Sequence, residues 1–112
     1  MRPPNLLLFG YPSRTLSYTC TAVPQSIPAA ELIFEGKPVI AMLFSCEFNS
    51  ARFTFGDSDP DPVTFVGHMI YPGYTLEFIE SSKAIRTFQF CDAAVGQQLH
   101  SRMHITLFFE KQ

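Results

Sequence analysis

Apolar and polar residues alternate with a period of two along much of the chain, which is the pattern of half-buried β-strands. In the segment 15–22 the apolar positions, which alternate with Ser and Thr, are Leu16, Tyr18, Cys20 and Ala22. In the last apolar segment one face is formed by Met103, Ile105, Leu107 and Phe109. Both segments predict a strand with one face towards a core and the other towards solvent.

Other apolar segments predict further strands. The run 39–44 is apolar at successive positions, which indicates a central strand covered on both faces. The segment 51–55 alternates and ends at Gly56, where a polar loop begins. After that loop we expect the chain to return to a strand over 63–71.

The residues that follow predict a hairpin. Pro72 and Gly73 have the order that a type II turn requires, and alternation resumes over 74–78. The turn should therefore join the strand 63–71 directly to a strand over 74–78.

The pattern between the hairpin and the last strand is less regular. Over 84–91 the apolar phase slips between Ile85 and Phe88, and a β-bulge near Arg86 and Thr87 would reconcile the two parts of one strand. The segment 92–102 is small and polar, which predicts a loop.

These elements, with no convincing amphipathic helix, predict an all-β fold. We expect an antiparallel β-sandwich or jelly-roll-like barrel of about seven to eight strands. The length of 112 residues matches one domain. Pro3, Pro4 and Pro12 flank an early apolar run, so we expect an extended N-terminal arm over 1–14 and a single sandwich domain over 15–112.

Charged residues are scarce in this composition. They make up 16% of the chain, below the roughly 25% of an average soluble domain, whereas the apolar fraction of 46% is ordinary. A monomer normally covers itself with charged side chains, so the shortage predicts that part of the surface faces neighbouring chains. The basic residues are scattered and the net charge is −2, so nucleic acid is not an expected partner.

Cysteine usage and hydropathy indicate where the protein is made. Cys20, Cys46 and Cys91 are odd in number and far apart, which argues against a disulfide framework and predicts buried thiols in a reducing compartment. The early apolar run 6–9 is too short for a signal-peptide core, and no stretch approaches the length of a membrane span. We therefore expect a soluble cytoplasmic product without a membrane partner.

Two groups of side chains have the spacing of metal ligands. Asp57, Asp59 and Asp61 are spaced like the first ligands of a calcium loop, but the rest of that loop does not match, so a solvated acidic turn is favoured. His100 and His104 have the spacing of a helical zinc pair, which a strand in this region would separate. No sequence signature of a nucleophile or of a phosphate loop is present. The sequence therefore predicts no catalytic residue, metal or cofactor.

Phenylalanines at strand-compatible positions are expected to fill the core. One core does not account for the apolar residues in the arm or at outward or terminal positions, so these residues are candidates for contacts between chains. These candidate interface residues are Leu6, Leu7, Leu8, Phe9, Tyr11, Ile79 and Phe108.

The span from Leu32 to Phe109 resembles small β-sandwich proteins that are encoded in structural gene clusters of tailed bacteriophages and prophages. The resemblance is carried by the segments 49–57, 57–62, 66–73, 84–86 and 99–107. It implies a virion component present in several copies, such as a capsid decoration or cement protein, or a head–tail or tail accessory protein. It implies no catalytic residues.

The leading hypothesis is a non-enzymatic, homo-oligomeric assembly protein of a virion, made in the host cytoplasm, whose partners are identical subunits and other virion proteins. The alternative is a monomeric binding module that uses the 57–62 or the 92–102 loop for recognition. A small hydrolase is the third hypothesis.

Overall fold

The computed structural model describes residues 10–73 and 77–111, without the side chains of Glu77 and Phe78. In this part of the chain the strands are β1 (Ser13–Thr19), β2 (Gln25–Ser26), β3 (Ile33–Phe34), β4 (Lys37–Glu47), β5 (Ala51–Thr54), β6 (His68–Ile70), β7 (Glu77–Ile79), β8 (Gln89–Asp92) and β9 (Arg102–Phe109). A 3-10 turn (Ala29–Leu32) precedes β3, and helix α1 (Ser82–Arg86) precedes β8.

The strands form two antiparallel sheets, which confirms the predicted all-β fold. The first sheet has the order β1-β9-β4-β3, and β7 also pairs with β4. The second sheet has the order β2-β8-β5-β6. One apolar core unites residues of both sheets, including Phe44 and Leu107 from the first and Phe90 and Ile70 from the second.

The strongest alternation in the sequence is realised in β9 and β1. The predicted inward residues of β9 are fully buried, from Met103 to Phe109, and the residues between them are half-buried. In β1 the hydroxyl residues are exposed, whereas Leu16 and Tyr18 pack against the core. The strand predicted over 39–44 is central in its sheet, because β4 lies between β9 on one side and β3 and β7 on the other. The predicted coverage of both faces is not found, since Leu43 is only half-buried, on the side of the sheet that faces solvent.

The predicted hairpin at Pro72 and Gly73 is wrong. The two residues do form a turn, and Gly73 has the positive φ of 76° that such a turn gives to Gly. However, β6 pairs with β5 in the second sheet and β7 pairs with β4 in the first. The turn therefore starts a connection between sheets, of which residues 74–76 lie outside the described part of the chain.

Only the part from His68 to Ile70 of the strand predicted over 63–71 is a strand, which is β6. The carboxylate of Asp61 accepts hydrogen bonds from the backbone N–H groups of Val63 and Thr64, and the backbones of Asp61 and Val66 form an isolated bridge. These bonds hold 62–65 in a turn, so pairing with β5 begins only at His68.

The bulge predicted near Arg86 and Thr87 is wrong, because at this point a short helix ends and strand β8 is about to begin. Helix α1 occupies Ser82–Arg86, and the side chain of Ser81 caps its start by accepting a hydrogen bond from the N–H of Ala84. The apolar phase slips at this point because Ile85 belongs to a helical turn and Phe88 precedes a strand. At the N-terminus β1 begins at Ser13, so the last two residues of the predicted arm belong to the first sheet.

Candidate interaction surface

Strand pairing brings four loops to one end of the molecule. In the first sheet Thr19, Arg102 and Glu47 are adjacent across β1, β9 and β4. The loops 20–24, 48–50 and 93–100 therefore begin or end beside one another.

The second sheet adds a fourth loop at the same end. Ala51, at the start of β5, is paired with Ile70 on one side and with Asp92 on the other. The loop 71–73 follows Ile70 and contacts the end of β4, where the N–H of Gly73 bonds to the carbonyl oxygen of Cys46 at 3.4 Å. We call the loops 20–24, 48–50, 71–73 and 93–100 the loop end.

The loops of the loop end contain no Asp, Glu, Lys or Arg, and many of their side chains are apolar. Its large exposed apolar residues are Val23 (67% exposed), Phe48 (59%), Tyr71 (53%), Val95 (57%) and Leu99 (55%). Charged residues lie in the connections of the opposite end, at Glu35, Asp57, Asp59, Glu80 and Lys83. The loop end thus carries five of the nine large apolar residues that are exposed in the described part of the chain, while Glu47 and Arg102 lie at its border.

Phe48 has an unusual backbone conformation in this surface. Its φ is +75°, in the left-handed region that a bulky residue rarely adopts, and its side chain faces solvent. The next residue fixes this loop, because the side-chain amide of Asn49 donates to the carbonyl oxygen of Leu99 at 2.9 Å and its oxygen accepts from the N–H of Ser50. An exposed aromatic ring is thus held on a strained, anchored loop, a combination found at functional sites.

The buried carboxylate of Asp92 holds the loops together. It is 2% exposed, and its Oδ1 accepts hydrogen bonds from the N–H and the hydroxyl of Ser101, at 3.1 and 3.0 Å. Its Oδ2 lies 2.6 Å from Nδ1 of His100, whose side chain is half exposed. Backbone bonds from Asp92 to Thr21 and from Cys20 to Ser101 join the first loop to the last. Asp92 therefore fixes the geometry of two loops from inside the molecule.

Arg52 holds the last loop from the side. Its Nε donates to the carbonyl oxygen of Ala93 at 2.8 Å, and its Nη1 donates to the carbonyl oxygens of Phe65 and Gly67. The guanidinium also lies 5.1 Å from the centre of the Phe65 ring. This side chain connects the loop end to the turn before β6.

The solvent-facing side of the first sheet carries a polar ladder. The hydroxyl of Ser17 lies 2.8 Å from Nδ1 of His104, and Nε2 of His104 lies 2.6 Å from Oε1 of Glu47. Serine, imidazole and carboxylate follow one another as in a hydrolase, but here they lie on an exposed sheet face, where water screens the charges on which such catalysis depends. Their evident effect is to join β1, β9 and β4. His100 is bonded to Asp92 and takes no part in this ladder. His104 lies in strand β9, so the two imidazoles do not share a helical face.

The predicted interface residues occupy different environments. Phe108 is half-buried on the solvent-facing side of the first sheet, between Ser13 and Ala41. Ile79 was expected to face outward, but it is paired with Met42 and packs against the core, since alternation in β7 turns it inward. Tyr11 is half-buried under the ammonium group of Lys111, 4.8 Å from its ring centre. Leu6, Leu7, Leu8 and Phe9 lie outside the described residues.

The remaining candidates for chemistry are held apart. Asp59 accepts a hydrogen bond from Gln89, Asp61 caps its own turn, and no group of three potential metal-ligating side chains occurs in the described ranges. The cysteines are free and buried, as predicted. Burial raises the pKa of each thiol, Cys20, Cys46 and Cys91, to about 11. They are therefore protonated at neutral pH and poor nucleophiles.

No protein-family model, curated protein or solved structure matches the chain. Within residues 10–73 and 77–111, no helix is long and apolar enough to cross a membrane. The best-defined candidate site is the loop end, which the sequence pattern did not reveal because its four loops are distant along the chain. Of the two loops expected to serve recognition, 92–102 overlaps the loop end and 57–62 does not.

Proposed function

We propose that the protein is a non-enzymatic assembly protein of a phage virion, which binds copies of itself and docks through the loop end on a larger capsid or tail assembly. The observation that carries the proposal is the concentration of exposed apolar side chains on four adjacent loops that contain no Asp, Glu, Lys or Arg. The resemblance of the span from Leu32 to Phe109 to phage sandwich proteins supports the virion setting.

The composition of the loop end resembles the centre of a protein interface. Interface cores are depleted in charged residues and enriched in aromatic ones, and a few aromatic anchors supply most of the binding energy. Phe48 and Tyr71 are the aromatic residues of this surface, and Val23, Val95 and Leu99 extend it. Because the loops themselves carry no charge, the loop end best matches a largely uncharged, apolar partner surface.

The fixed backbone of the loop end favours docking without rearrangement. Asp92, Asn49 and Arg52 hold the loops by hydrogen bonds to backbone groups of Ser101, Leu99 and Ala93. Loops that are already ordered lose little conformational entropy on binding, which preserves the energy gained from apolar burial.

The test is incorporation into particles. The organism that encodes the chain would express the tagged full chain, and particles would be purified by density gradient and quantified by mass spectrometry. The wild-type chain should be present in several copies per particle. Phe48→Lys should reduce incorporation by about tenfold or more, because it places a charge among the exposed apolar side chains.

Ile33→Lys is the matched control. Ile33 is 54% exposed, close to the 59% of Phe48, but it lies at the opposite end of the sandwich. This variant should be incorporated like the wild type, and circular dichroism should show that both variants are folded. Absence of the wild-type chain from particles, or equal incorporation of the two variants, would contradict the proposal.

A monomeric binding module is the second candidate, because the same anchored 93–100 loop would serve recognition of a separate partner. The two functions differ in self-association. A chain that stays monomeric and absent from particles, yet loses a partner through Phe48→Lys, would be such a module.

A further inference from the structure

Strand β1 is the longest open sheet edge in the described part of the chain. It has seven residues and, among the described residues, pairs only with β9, whereas the outer strands β2, β3, β6 and β7 have two or three residues each. Short strands, Lys, Pro and bulges are the usual means of preventing edge-to-edge pairing. β1 contains no Lys or Pro, and its register with β9 is continuous from Ser13 to Thr19.

The hydrogen bonds to β9 show which backbone groups of β1 face outward. The N–H of Cys20 bonds to Ser101, and the N–H of Phe109 bonds to Pro12, both in the register of the β1–β9 pair. Because hydrogen-bonded positions alternate in an antiparallel pair, even-numbered residues of β1 bond to β9. The N–H and C=O groups of the odd-numbered residues therefore face the open edge. In agreement, the side chain of Gln25 bonds to the carbonyl oxygen of Thr19 from that side.

The side chains at these odd positions would not prevent a second strand from pairing. They are Ser13, Thr15, Ser17 and Thr19, all exposed and uncharged. An antiparallel pairing of β1 with itself, centred on Leu16, places Thr15 opposite Ser17 and Ser13 opposite Thr19. Each odd-numbered residue, whose N–H and C=O groups face the open edge, then lies opposite another odd-numbered residue of the second copy. The edge can therefore form hydrogen bonds with itself.

We propose that β1 pairs in this register with β1 of a second copy, so that the first sheets of two subunits form one continuous sheet. The inference rests on the proposed self-association but uses a different surface from the loop end. Because the two β1 strands would run antiparallel, the two loop ends would lie at opposite ends of the joined sheet.

A pair of charge variants tests the pairing and its register in the full chain. The double variant Thr15→Lys/Ser17→Lys brings two positive charges together, because residue 15 of one copy faces residue 17 of the other. The double variant Thr15→Lys/Ser17→Glu brings a positive and a negative charge together at the same place. Both variants lose the same native side chains. Sedimentation velocity should show a monomer for the first and a dimer for the second, and equal masses would overturn the proposal.

Cross-linking gives an independent measurement. In the proposed register the two Leu16 residues form a non-hydrogen-bonded pair with Cα atoms about 4.5 Å apart, within the range for a disulfide. Leu16→Cys should therefore yield a covalent dimer on mild oxidation. Ser13→Cys should not, because its two copies would be about 20 Å apart. Equal cross-linking of the two variants would overturn the register.

Two outcomes separate this inference from the proposed function. A wild-type dimer that persists in the Lys–Lys variant excludes the β1 edge but leaves self-association intact. A wild-type chain that becomes dimeric only after deletion of residues 1–9 shows that the chain's own N-terminus covers the edge, and it overturns the pairing. Incorporation into particles is measured separately and depends on Phe48.

Discussion

Asp92→Ala should destabilise the protein by removing the carboxylate that holds the loop end from inside. The N–H and the hydroxyl of Ser101, a residue with 0% exposure, would both lose their acceptor. Each buried donor left without a partner costs about 1–3 kcal/mol. The bond to His100 adds little, because the imidazole is half exposed. Removal of a buried charge offsets part of the loss, so we expect a decrease of about 2–4 kcal/mol in the free energy of unfolding.

Urea unfolding followed by circular dichroism measures this loss. Asp92→Asn keeps an oxygen for Ser101 and should lose about half as much, while Asp57→Ala, at an exposed position, should change stability by less than about 0.5 kcal/mol. A double-mutant cycle with Ser101→Ala should give a coupling energy of about 1 kcal/mol or more. A loss below about 1 kcal/mol for Asp92→Ala, or no coupling to Ser101, would refute the assigned role.

Two further predictions concern backbone strain and pH. Gly67 has a φ of +116°, and an added Cβ would lie 3.1 Å from the carbonyl oxygen of Phe53, so Gly67→Ala should cost about 1–3 kcal/mol in thermal unfolding. Gly96→Ala, where a Cβ meets open space, should cost less, and equal costs would contradict this reasoning. Because the folded pKa of the three thiols is about 11, above their ordinary value of 9.0, the folded state keeps protons that the unfolded state loses. Their contribution to stability is complete below pH 9 and is lost as the pH rises towards 11, so urea midpoints should fall over that window, and Cys20→Ala should flatten the decrease.

Local pattern was sufficient to predict the strands with one buried face. In β9 the alternation from Met103 to Phe109 matches the burial of the folded chain, because strand side chains point alternately inward and outward. The same reasoning failed at Pro72 and Gly73. The turn is a local property, but whether the flanking strands pair with each other depends on which partners the rest of the sheet supplies. In the segment before β8, Ser81 was available as a helix cap, and the phase slip marked a helical turn and not a bulge.

The loop end could not have been predicted from local pattern. Its loops are separated by most of the chain, and only the pairing of β1, β4 and β9, and of β5 with β6 and β8, brings them together. The conformation of Phe48 could not be predicted from the sequence either, because Phe rarely adopts a positive φ. Asp92 looked like an ordinary loop residue, because its partners, His100 and Ser101, come close only after the loop has folded back.

The most direct test of the central claim, that this charge-poor sandwich is built to associate, is the mass of the full chain in solution. Sedimentation equilibrium over a range of concentrations should show association to at least twice the 12.6 kDa of one chain. The Lys–Lys variant of β1 should reduce the mass to that of one chain. A wild-type mass of 12.6 kDa at every concentration up to about 100 μM would contradict the account.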